Sequence, residues 1–430
     1  MASRDAEFPV AELQARIEAI LRREPAAVWG CVVTSDVGMN HIAYLCERPR
    51  GRNHTGPAVL ASIAPDAPLV PASCVKLFTC GLALEVALGQ DAFETSAHVC
   101  GDASDTLCLH PSGDPTLTAD DLGALARRAA RGHDVRRVRL GASEEAGYDA
   151  RHEGHHPTWE VGDLERPWAA APSWFATVDR NAGGEFRSPR ALFLSFARRA
   201  LGLDDDDDDD DDETVHACEH LENLSYDARR AAAHASAPIA DVARACLERS
   251  DNLFAESLLP RVRVGDRSRS RKAPAGADLG EVLTMAATEA YGLRGDLVRL
   301  VDGSGLSRHN LAPPRAFADA IQTALSQRVS RLDWEVDAAR FLLDSLPVAG
   351  RTGTLAGRFA GTPAEGVVRA KTGTMTGVAS LCGYFETHAD PRLGNVAFAI
   401  MANNAVASAE KLRDVVDAVV CAIALARVSP

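Results

Sequence analysis

Three strand-like runs near the carboxyl end constrain the fold of this 430-residue chain more than any other feature. They read GVVRAKTGT, VASLCGYFE and GNVAFAIMANN, and only short turns separate them. Short turns favour antiparallel pairing, because a parallel crossover needs a dozen or more residues. Helical periodicity at Leu13, Ile17 and Leu21, and again from Ala409 to Val428, predicts a helix near each end of the chain. The sequence therefore predicts an α+β fold, an antiparallel sheet with helices on both faces.

The overall charge limits the partners that this chain can bind. The formal net charge is −14, which argues against nucleic acid or an anionic membrane surface as a main partner. No run of residues is apolar for long enough to predict a transmembrane segment. The segment after Met1 lacks the uninterrupted apolar core of a secretory signal, so no signal peptide is predicted.

The composition and the helical periodicity of the sequence change at about residue 96 and change back at about residue 228. The stretch between them is rich in His, Trp, Pro and Gly and weakly periodic, which predicts an inserted domain over 96–227. The flanking parts, 1–95 and 228–430, would then form one discontinuous main domain. Nine consecutive aspartates, Asp204 to Asp212, lie near the end of the insert. Like charges repel one another, so a solvated, disordered loop is predicted near 204–213.

A serine and a lysine stand three residues apart at the start of a predicted helix. In PASCVKLFTCGLALEVALG, Pro71 suits a helix entrance and Gly89 a helix stop. Residues three apart share a helix face, so the Ser73 hydroxyl and the Lys76 amine would be neighbours. Such a pair can be a nucleophile beside its base. Taken alone, the spacing arises often by chance, and an N-cap followed by a solvated lysine is the more frequent explanation.

Two further triplets favour the interpretation of Ser73 and Lys76 as a nucleophile and its base. The triplet S-D-N at 250–252 interrupts a helical run, and K-T-G at 371–373 lies on the first of the three strand-like runs. The ordered set S-x-x-K, S-D-N and K-T-G is the combination found in penicillin-binding proteins and class A β-lactamases. Each piece is common by itself, but here the order is kept and each piece falls in a suitable element.

The sequence around these motifs resembles a known family over most of residues 60–405. The matching segments are PASCVKLFT, SGDPTLTADDL, ERSDNLFAESLL, DGSGLSRHNLAPP, LPVAGRTGTLAGRFAGTPAEGVVRAKTGTMTGVASLCGYF and MANN. They are similar to the D-alanyl-D-alanine carboxypeptidase/endopeptidase family, the class C low-molecular-mass penicillin-binding proteins. The resemblance implies a β-lactamase/transpeptidase-like fold whose inserted domain is reduced here. It also implies a serine-type D-Ala-D-Ala carboxypeptidase, with endopeptidase activity as a variant of it, and makes the discontinuous main domain the catalytic one.

The resemblance implies five catalytic residues. Ser73 would attack the carbonyl of the penultimate D-alanine after a neutral Lys76 takes its proton. The reference pKa of lysine is about 10.4, so burial and a second nearby cation, Lys371, would have to lower the pKa of Lys76. Ser250 would relay a proton to the leaving amine, and Asn252 would hold the peptide amide and the Lys76 side chain.

The resemblance also implies a carboxylate-binding strand edge formed by Lys371, Thr372, Gly373 and Thr374. The backbone N–H groups of Ser73 and Thr374 would form the oxyanion hole. The expected partners are peptidoglycan peptides that end in D-Ala-D-Ala, and β-lactams would acylate the same serine as inhibitors. No metal and no cofactor is expected. The family works outside the cytoplasmic membrane, which implies an extracytoplasmic location although no signal peptide is predicted.

Three other functions stay open at this point. A class A β-lactamase needs a deacylating glutamate in an E-x-x-L-N loop between the second and third motifs. The nearest match, EHLEN at 219–223, precedes Ser250 and lacks the leucine. An esterase could use the same residues, because a fold does not determine the acyl donor. A non-catalytic protein could bind cell-wall peptides without cleaving them.

Several other signals are given no functional role. HEGHH at 152–156 matches a zinc-protease pattern, but Gly154 and Pro157 disfavour the helix that this chemistry needs. HACEH at 216–220 lies beside the acidic run and predicts a polar loop. Asp302 and Ser304 are expected to form a turn that positions the next helix. The ten cysteines are too few for a disulfide scaffold, so buried free thiols are expected in the helix after Ser73 and in VASLCGYFE.

Overall fold

The computed structural model describes residues 10–36, 57–87, 91–100, 105–140, 156–164, 166, 169, 189–203, 232–264, 277–330, 338–386 and 394–428. The chain divides into two compact units. Unit 1 comprises Met1–Leu88, Thr158–Glu160 and Ala243–Pro430, and unit 2 comprises Gly89–Pro157 and Val161–Val242. The predicted acidic loop at 204–213 and the two histidine-rich stretches, apart from His156, lie outside the described residues.

The described residues form strands and helices with the following bounds. The strands are β1 (Val28–Ser35), β2 (Ala58–Ile63), β3 (Ala92–Cys100), β4 (Thr106–His110), β5 (Arg137–Leu140), β6 (Ala232–Pro238), β7 (Val368–Met375), β8 (Val378–Phe385) and β9 (Val396–Asn403). The helices are α1 (Val10–Leu21), α2 (Lys76–Ala87), α3 (Ala119–Ala129), α4 (Val161–Leu164), α5 (Pro189–Leu201), α6 (Ile239–Arg249), α7 (Asn252–Val264), α8 (Leu279–Tyr291), α9 (Pro314–Ser330), α10 (Ala338–Asp344) and α11 (Ala409–Val428). None of the helices in these ranges is both long and apolar enough to cross a bilayer.

Five strands of unit 1 form an antiparallel sheet in the order β2-β1-β9-β8-β7. The three runs predicted from the sequence are β7, β8 and β9, and they pair as an antiparallel meander, which confirms that prediction. Strands β8 and β9 are buried at every position, so both of their faces are covered. That burial explains their continuous apolar sequence, because a strand with one solvated face would alternate apolar and polar residues.

Helices cover both faces of this sheet, as predicted. On one face α1 and α11 pack against the strands, and Leu13, Ile17, Val416 and Val419 share a buried cluster there with Phe398. The other face is covered by α9, which packs on β1, β8 and β9. Fully burying one such aliphatic side chain contributes about 1.5–3 kcal/mol, so these two layers hold the sheet firmly in place. The sheet is therefore a rigid support for the motif residues on β7.

Unit 2 is built on a four-stranded sheet in the order β5-β4-β3-β6. Strands β4 and β5 pair in parallel, and the other neighbours pair antiparallel. Leu107 and Leu109 lie two residues apart on β4, so both face the same core. Helices α3 and α5 complete this core with Leu125 and Phe193. Because side chains alternate along a strand, the residues between these leucines lie on the opposite face of the sheet.

The cysteines agree with the sequence-based expectation in unit 1 and differ from it in unit 2. Cys74, Cys80 and Cys382 are buried free thiols, as predicted. Cys100 on β3 and Cys108 on β4 form a disulfide instead. Their spacing in the sequence could not reveal this pair, because it depends on the register between two strands. The disulfide corrects the general expectation of free thiols.

Candidate active site

Ser73 lies in a short 3₁₀ turn, Ala72–Val75, and α2 begins directly afterwards at Lys76. The α-helix therefore starts later than the entrance predicted at Pro71. The reason is the backbone of Ala72, whose φ of 49° is left-handed and cannot continue a helix. Such strained residues are held by their surroundings and cluster at functional sites. The Ser73 side chain is half-buried, so part of it stays open to a substrate.

Close contacts from distant segments hold this turn in place. A Cβ at Gly373 on β7 would lie 2.5 Å from the carbonyl oxygen of Pro71, so only glycine allows this approach. Gly305 has a φ of +81°, and a Cβ there would lie 2.0 Å from the carbonyl oxygen of Ala72. Asn403, at the end of β9, adds hydrogen bonds of 2.7 and 3.0 Å to the backbone just before the turn. The position of Ser73 is thus set by tertiary contacts.

The Lys76 side chain is fully buried beside Ser73. Its Nζ lies 2.9 Å from Ser73 Oγ, 2.5 Å from Asn252 Oδ1 and 2.6 Å from the carbonyl oxygen of Ser304. Burial lowers the pKa of Lys76 below its ordinary value, because the charged form loses its hydration. The structure therefore brings the serine and lysine of the first motif together with the asparagine of the second.

Ser250 and Lys371 form a second contact pair. Ser250 lies between the end of α6 and the start of α7, with a positive φ of 62°. Lys371 is fully buried, and its Nζ donates to Ser250 Oγ at 2.7 Å and to the Thr372 carbonyl at 2.9 Å. The pKa of Lys371 is lowered to about 8, mainly because the side chain is buried and secondly because the nearby charge of Lys76 repels its own. Lys371 therefore keeps its charge at neutral pH.

The remaining residues of the third motif lie on β7, the edge strand of the sheet. Thr372 Oγ1 donates to Thr354 Oγ1 at 3.0 Å, and Thr374 is exposed. The Cys74 thiol donates to the carbonyl of Lys371 at 3.4 Å, which ties β7 to the turn that carries the serine. An edge strand beside a nucleophile is suited to bind an extended peptide alongside it.

The loop around Asp302 and Ser304, for which the sequence predicts only a turn, supports Lys76. The Ser304 carbonyl accepts a hydrogen bond from Lys76, and two successive N–H groups of the loop donate to the Glu256 carboxylate at 3.2 and 2.8 Å. The pKa of Glu256 is raised to about 7, mainly because the carboxyl is buried and secondly because the charge of Asp302 lies nearby. The available signal was its position one helical turn after Asn252, on the same face of α7.

Asp302 organises the same loop, as expected of a turn residue. Its buried carboxylate accepts from the backbone N–H groups of Gly305 at 2.8 Å and Ser307 at 2.6 Å. It also accepts from Trp159 Nε1 at 2.9 Å and from Asn310 Nδ2 at 2.8 Å. These four hydrogen bonds satisfy both carboxylate oxygens and fix the loop. None of them goes to Ser73, so Asp302 acts through the loop that it holds.

The five predicted catalytic side chains thus form two hydrogen-bonded groups. One contains Ser73, Lys76 and Asn252, and the other contains Ser250 and Lys371. A half-buried hydroxyl beside a fully buried amine of lowered pKa is the arrangement that nucleophilic acyl transfer requires. A second buried cation on an edge strand adds a binding point for an anionic group.

Comparison with known proteins gives consistent matches. The model of the D-Ala-D-Ala carboxypeptidase 3 (S13) family matches residues 52–184 and 216–425. Penicillin-sensitive carboxypeptidase A of Dictyostelium discoideum is 34% identical over 176 residues, 40% of this chain and 31% of that protein. Carboxypeptidase DacB of Mycolicibacterium smegmatis is 29% identical over 367 residues, 79% of this chain and 72% of that protein. This chain spans only about a third of the Dictyostelium protein and of two further relatives, D-alanyl-D-alanine carboxypeptidase DacB of Haemophilus influenzae and D-alanyl-D-alanine carboxypeptidase of Actinomadura sp..

Solved structures share the fold. The crystal structure of penicillin binding protein 4 (dacB) from Haemophilus influenzae superposes with a TM-score of 0.70 over 96% of this chain and 99% of that chain, at 18% identity. The Bd0816 predatory endopeptidase from Bdellovibrio bacteriovorus gives a TM-score of 0.53 over 93% of this chain and 94% of that chain, at 14% identity. Identities this low establish the fold alone. Because the family model matches most of the chain, this protein belongs to the D-Ala-D-Ala carboxypeptidase 3 (S13) family, which confirms the resemblance seen in the sequence.

Proposed function

We propose that this protein is a serine-type D-Ala-D-Ala carboxypeptidase that acts through an acyl-enzyme on Ser73. The observation that carries the proposal is the buried Lys76 amine, 2.9 Å from Ser73 Oγ. A serine hydroxyl becomes a good nucleophile only when a base takes its proton. Burial lowers the pKa of Lys76 and so favours the neutral amine that can act as this base. Family membership supports the choice of acyl donor.

The acylation step uses the first hydrogen-bonded group. Lys76 takes the hydroxyl proton while Ser73 Oγ attacks the carbonyl of the penultimate D-alanine. Asn252, 2.5 Å from the Lys76 amine, orients that amine and binds the peptide amide of the substrate. The backbone N–H groups of Ser73 and Thr374 stabilise the oxyanion; in acyl-transfer enzymes one such donor contributes about a hundredfold or more to the rate.

The departure of D-alanine uses the second group. The carbon–nitrogen bond breaks only when the leaving nitrogen gains a proton. Ser250 accepts a hydrogen bond from Lys371 at 2.7 Å, so its own hydroxyl proton can be directed at the leaving nitrogen. Ser250 is therefore the proton relay: it gives its hydroxyl proton to the leaving nitrogen and receives in its place the proton that Lys76 took from Ser73, so that Lys76 is neutral again. Water then hydrolyses the acyl-enzyme and restores the Ser73 hydroxyl.

Substrate selection rests on the terminal carboxylate of the peptide. Lys371 supplies the positive charge, and Thr372 and Thr374 supply hydroxyl groups along the edge strand. Gly373 lets this strand approach the serine turn closely. A penicillin also presents a carboxylate next to a reactive carbonyl, so β-lactams should acylate Ser73 and inhibit the enzyme. The proposed substrates are peptidoglycan peptides that end in D-Ala-D-Ala.

The test is the release of D-alanine from a short peptide that ends in D-Ala-D-Ala, with an L-Ala-L-Ala peptide as the matched control. Wild-type protein should release D-alanine, and Ser73→Ala should lower kcat by about 10⁴-fold or more. Binding of the peptide without cleavage would contradict the proposal in favour of a binding protein. Hydrolysis of simple acyl esters alone would indicate an esterase, and rapid turnover of penicillin would indicate a β-lactamase.

A further inference from the structure

A cluster of histidines and cysteines lies on the hairpin of β3 and β4 in unit 2. His98 and Cys100 are two residues apart on β3, and Cys108 and His110 are two residues apart on β4. The antiparallel register places His98 directly opposite Cys108. Because side chains alternate between the faces of a sheet, all four lie on the same face of the hairpin. The opposite face of this hairpin packs into the core of unit 2.

Three of these side chains, His98, Cys100 and Cys108, are close enough to share one ion, and the fourth, His110, contacts the His98 ring. A ring nitrogen of His98 and the sulfur atoms of Cys100 and Cys108 all lie within 4.8 Å of one another. The Nδ1 atom of His98 and the Nε2 atom of His110 are 3.1 Å apart. Two imidazole nitrogens bound to one tetrahedral zinc ion lie about 3.3 Å apart, given zinc–nitrogen bonds of about 2.05 Å. The spacing of the two rings therefore already suits a shared metal ion.

The environment of the cluster favours a closed metal site. His98 is 2% exposed and Cys108 is fully buried, whereas Cys100 and His110 are partly exposed and give access from solvent. Two thiolates cancel the two positive charges of a zinc ion, so the loaded site carries no net charge into the protein interior. Two nitrogen and two sulfur donors are the ligand set of structural zinc sites.

We propose that His98, Cys100, Cys108 and His110 bind one zinc ion when the cysteines are reduced. The disulfide between Cys100 and Cys108 is then the oxidised, metal-free form of the same site. The two forms exclude each other, because both use the same two sulfur atoms. Either form links β3 to β4, so the hairpin is cross-linked under oxidising and under reducing conditions. The site is separate from the chemistry at Ser73 and does not depend on the proposed peptidase activity.

The change between the two forms is a balanced reaction. A dithiol reductant gives two electrons and two protons to the disulfide and becomes a disulfide itself, which leaves Cys100 and Cys108 as thiols. Zinc then displaces the two thiol protons and bonds to both thiolates and to the neutral imidazoles. Zinc binding should therefore be weaker at low pH, where protons compete for the ligands.

The first test titrates reduced full-length protein with cobalt(II), a spectroscopic substitute for zinc. We expect one cobalt ion per chain and an absorption band from thiolate-to-cobalt charge transfer, which zinc should abolish by displacement. Cys108→Ser and His110→Ala should lose the band and weaken binding by about a hundredfold or more. His234→Ala, which changes another histidine of unit 2, is the matched control and should bind as wild type. Cobalt binding without a thiolate band would overturn the proposal, as would a band that persists in both ligand variants.

A second measurement needs no variant and so does not depend on altered chains folding. The reduced wild-type protein is alkylated with and without zinc, and the modified cysteines are mapped by mass spectrometry. Zinc should slow the alkylation of Cys100 and Cys108 by about tenfold or more relative to Cys421, a partly buried free thiol. Equal rates with and without zinc at both cysteines would show that the pair is only a structural disulfide.

Discussion

The proposed mechanism requires opposite protonation states of two buried lysines. Lys76 must be neutral to take the proton of Ser73, and Lys371 must be charged to hold a carboxylate. Burial is the first cause of the lowered pKa in both lysines. At Lys371 the charge of Lys76 is the second cause, and the pKa is lowered to about 8. At Lys76 the lowering comes from burial, against the charges of Asp302 and Glu256, which raise the pKa, and not from Lys371 as expected. Activity should therefore rise as Lys76 loses its proton and fall as Lys371 loses its own.

The pH profile of acylation by a penicillin tests this division of roles. The second-order rate constant should fall above about pH 8, because a neutral Lys371 no longer attracts the carboxylate. Lys371→Arg keeps its charge at every accessible pH, so this alkaline fall should move to higher pH. The planar and bulkier guanidinium should also lower the maximum rate by about tenfold.

The control for this profile is an uncharged acyl ester that also reacts with the active-site serine. Its profile should lack the alkaline fall, because it presents no carboxylate to Lys371. If the fall near pH 8 remained unchanged in Lys371→Arg, it would belong to another group, and the anchoring role of this lysine would be wrong.

Glu256 is expected to position Lys76 through the loop that it holds. Glu256→Gln keeps the size of the side chain but leaves one oxygen to accept two N–H groups of that loop. A lost buried hydrogen bond costs about 1–3 kcal/mol, so penicillin acylation should slow by about ten- to a hundredfold. The charge of Glu256 raises the pKa of Lys76 against the lowering effect of burial, so the acid limb of the pH profile should shift to lower pH when glutamine removes that charge. Glu410→Gln, on the exposed first turn of α11, is the matched control, and a wild-type rate and profile in Glu256→Gln would refute the positioning role.

At the scale of elements, the sequence predicts those whose pattern is local. Helix α1 was predicted from apolar residues at helical spacing, and all of these are buried. Strands β8 and β9 were predicted from continuous apolar runs with short turns. The 3₁₀ turn before α2 and the Cys100–Cys108 disulfide were not predicted. Both depend on segments distant in sequence, namely the glycine contacts around Ala72 and the register between β3 and β4.

The close approach of β7 to the serine turn gives a prediction at this scale. In Gly373→Ala the new Cβ would lie 2.5 Å from the Pro71 carbonyl oxygen, so the strand and the turn must move apart. A displacement of about 1 Å in an active site can cost about a hundredfold, so penicillin labelling should slow by at least tenfold. Gly357→Ala is the control, since its Cβ meets nothing within 4 Å. Labelling of Gly373→Ala at the wild-type rate would contradict the claim that this contact sets the site.

At the scale of the whole molecule, the ordered motifs and the segments around them predicted the family, and the short turns between three strand-like runs predicted the antiparallel sheet. The residues that escaped prediction, Glu256 and the carbonyl of Ser304, belong to no spaced motif. A carboxylate in an apolar helical run is ambiguous until the loop that it contacts is known. The contacts within each of the two hydrogen-bonded groups likewise come from elements far apart in the chain, which only the fold brings together.

The stability of the whole molecule should depend on pH through Glu256. Its pKa is raised from 4.5 to about 7 in the folded state, so the folded protein keeps a proton that the unfolded chain loses. The stability from this group is fully present below about pH 4.5 and is lost as pH rises through about 7, on the order of 3 kcal/mol in all. Urea unfolding at about pH 5 and pH 8 should show a smaller loss in Glu256→Gln than in wild type. Equal losses would show that this carboxyl does not titrate as described.

The central claim, that Ser73 forms an acyl-enzyme, is tested most directly by intact-mass measurement after incubation with a penicillin. The account predicts one covalent adduct per chain, with the added mass mapped to the peptide that contains Ser73. Ser73→Ala, confirmed as folded by its melting curve, should carry no adduct. An adduct on another residue, or an undiminished adduct in Ser73→Ala, would contradict the account, and so would the absence of any adduct in well-folded wild-type protein.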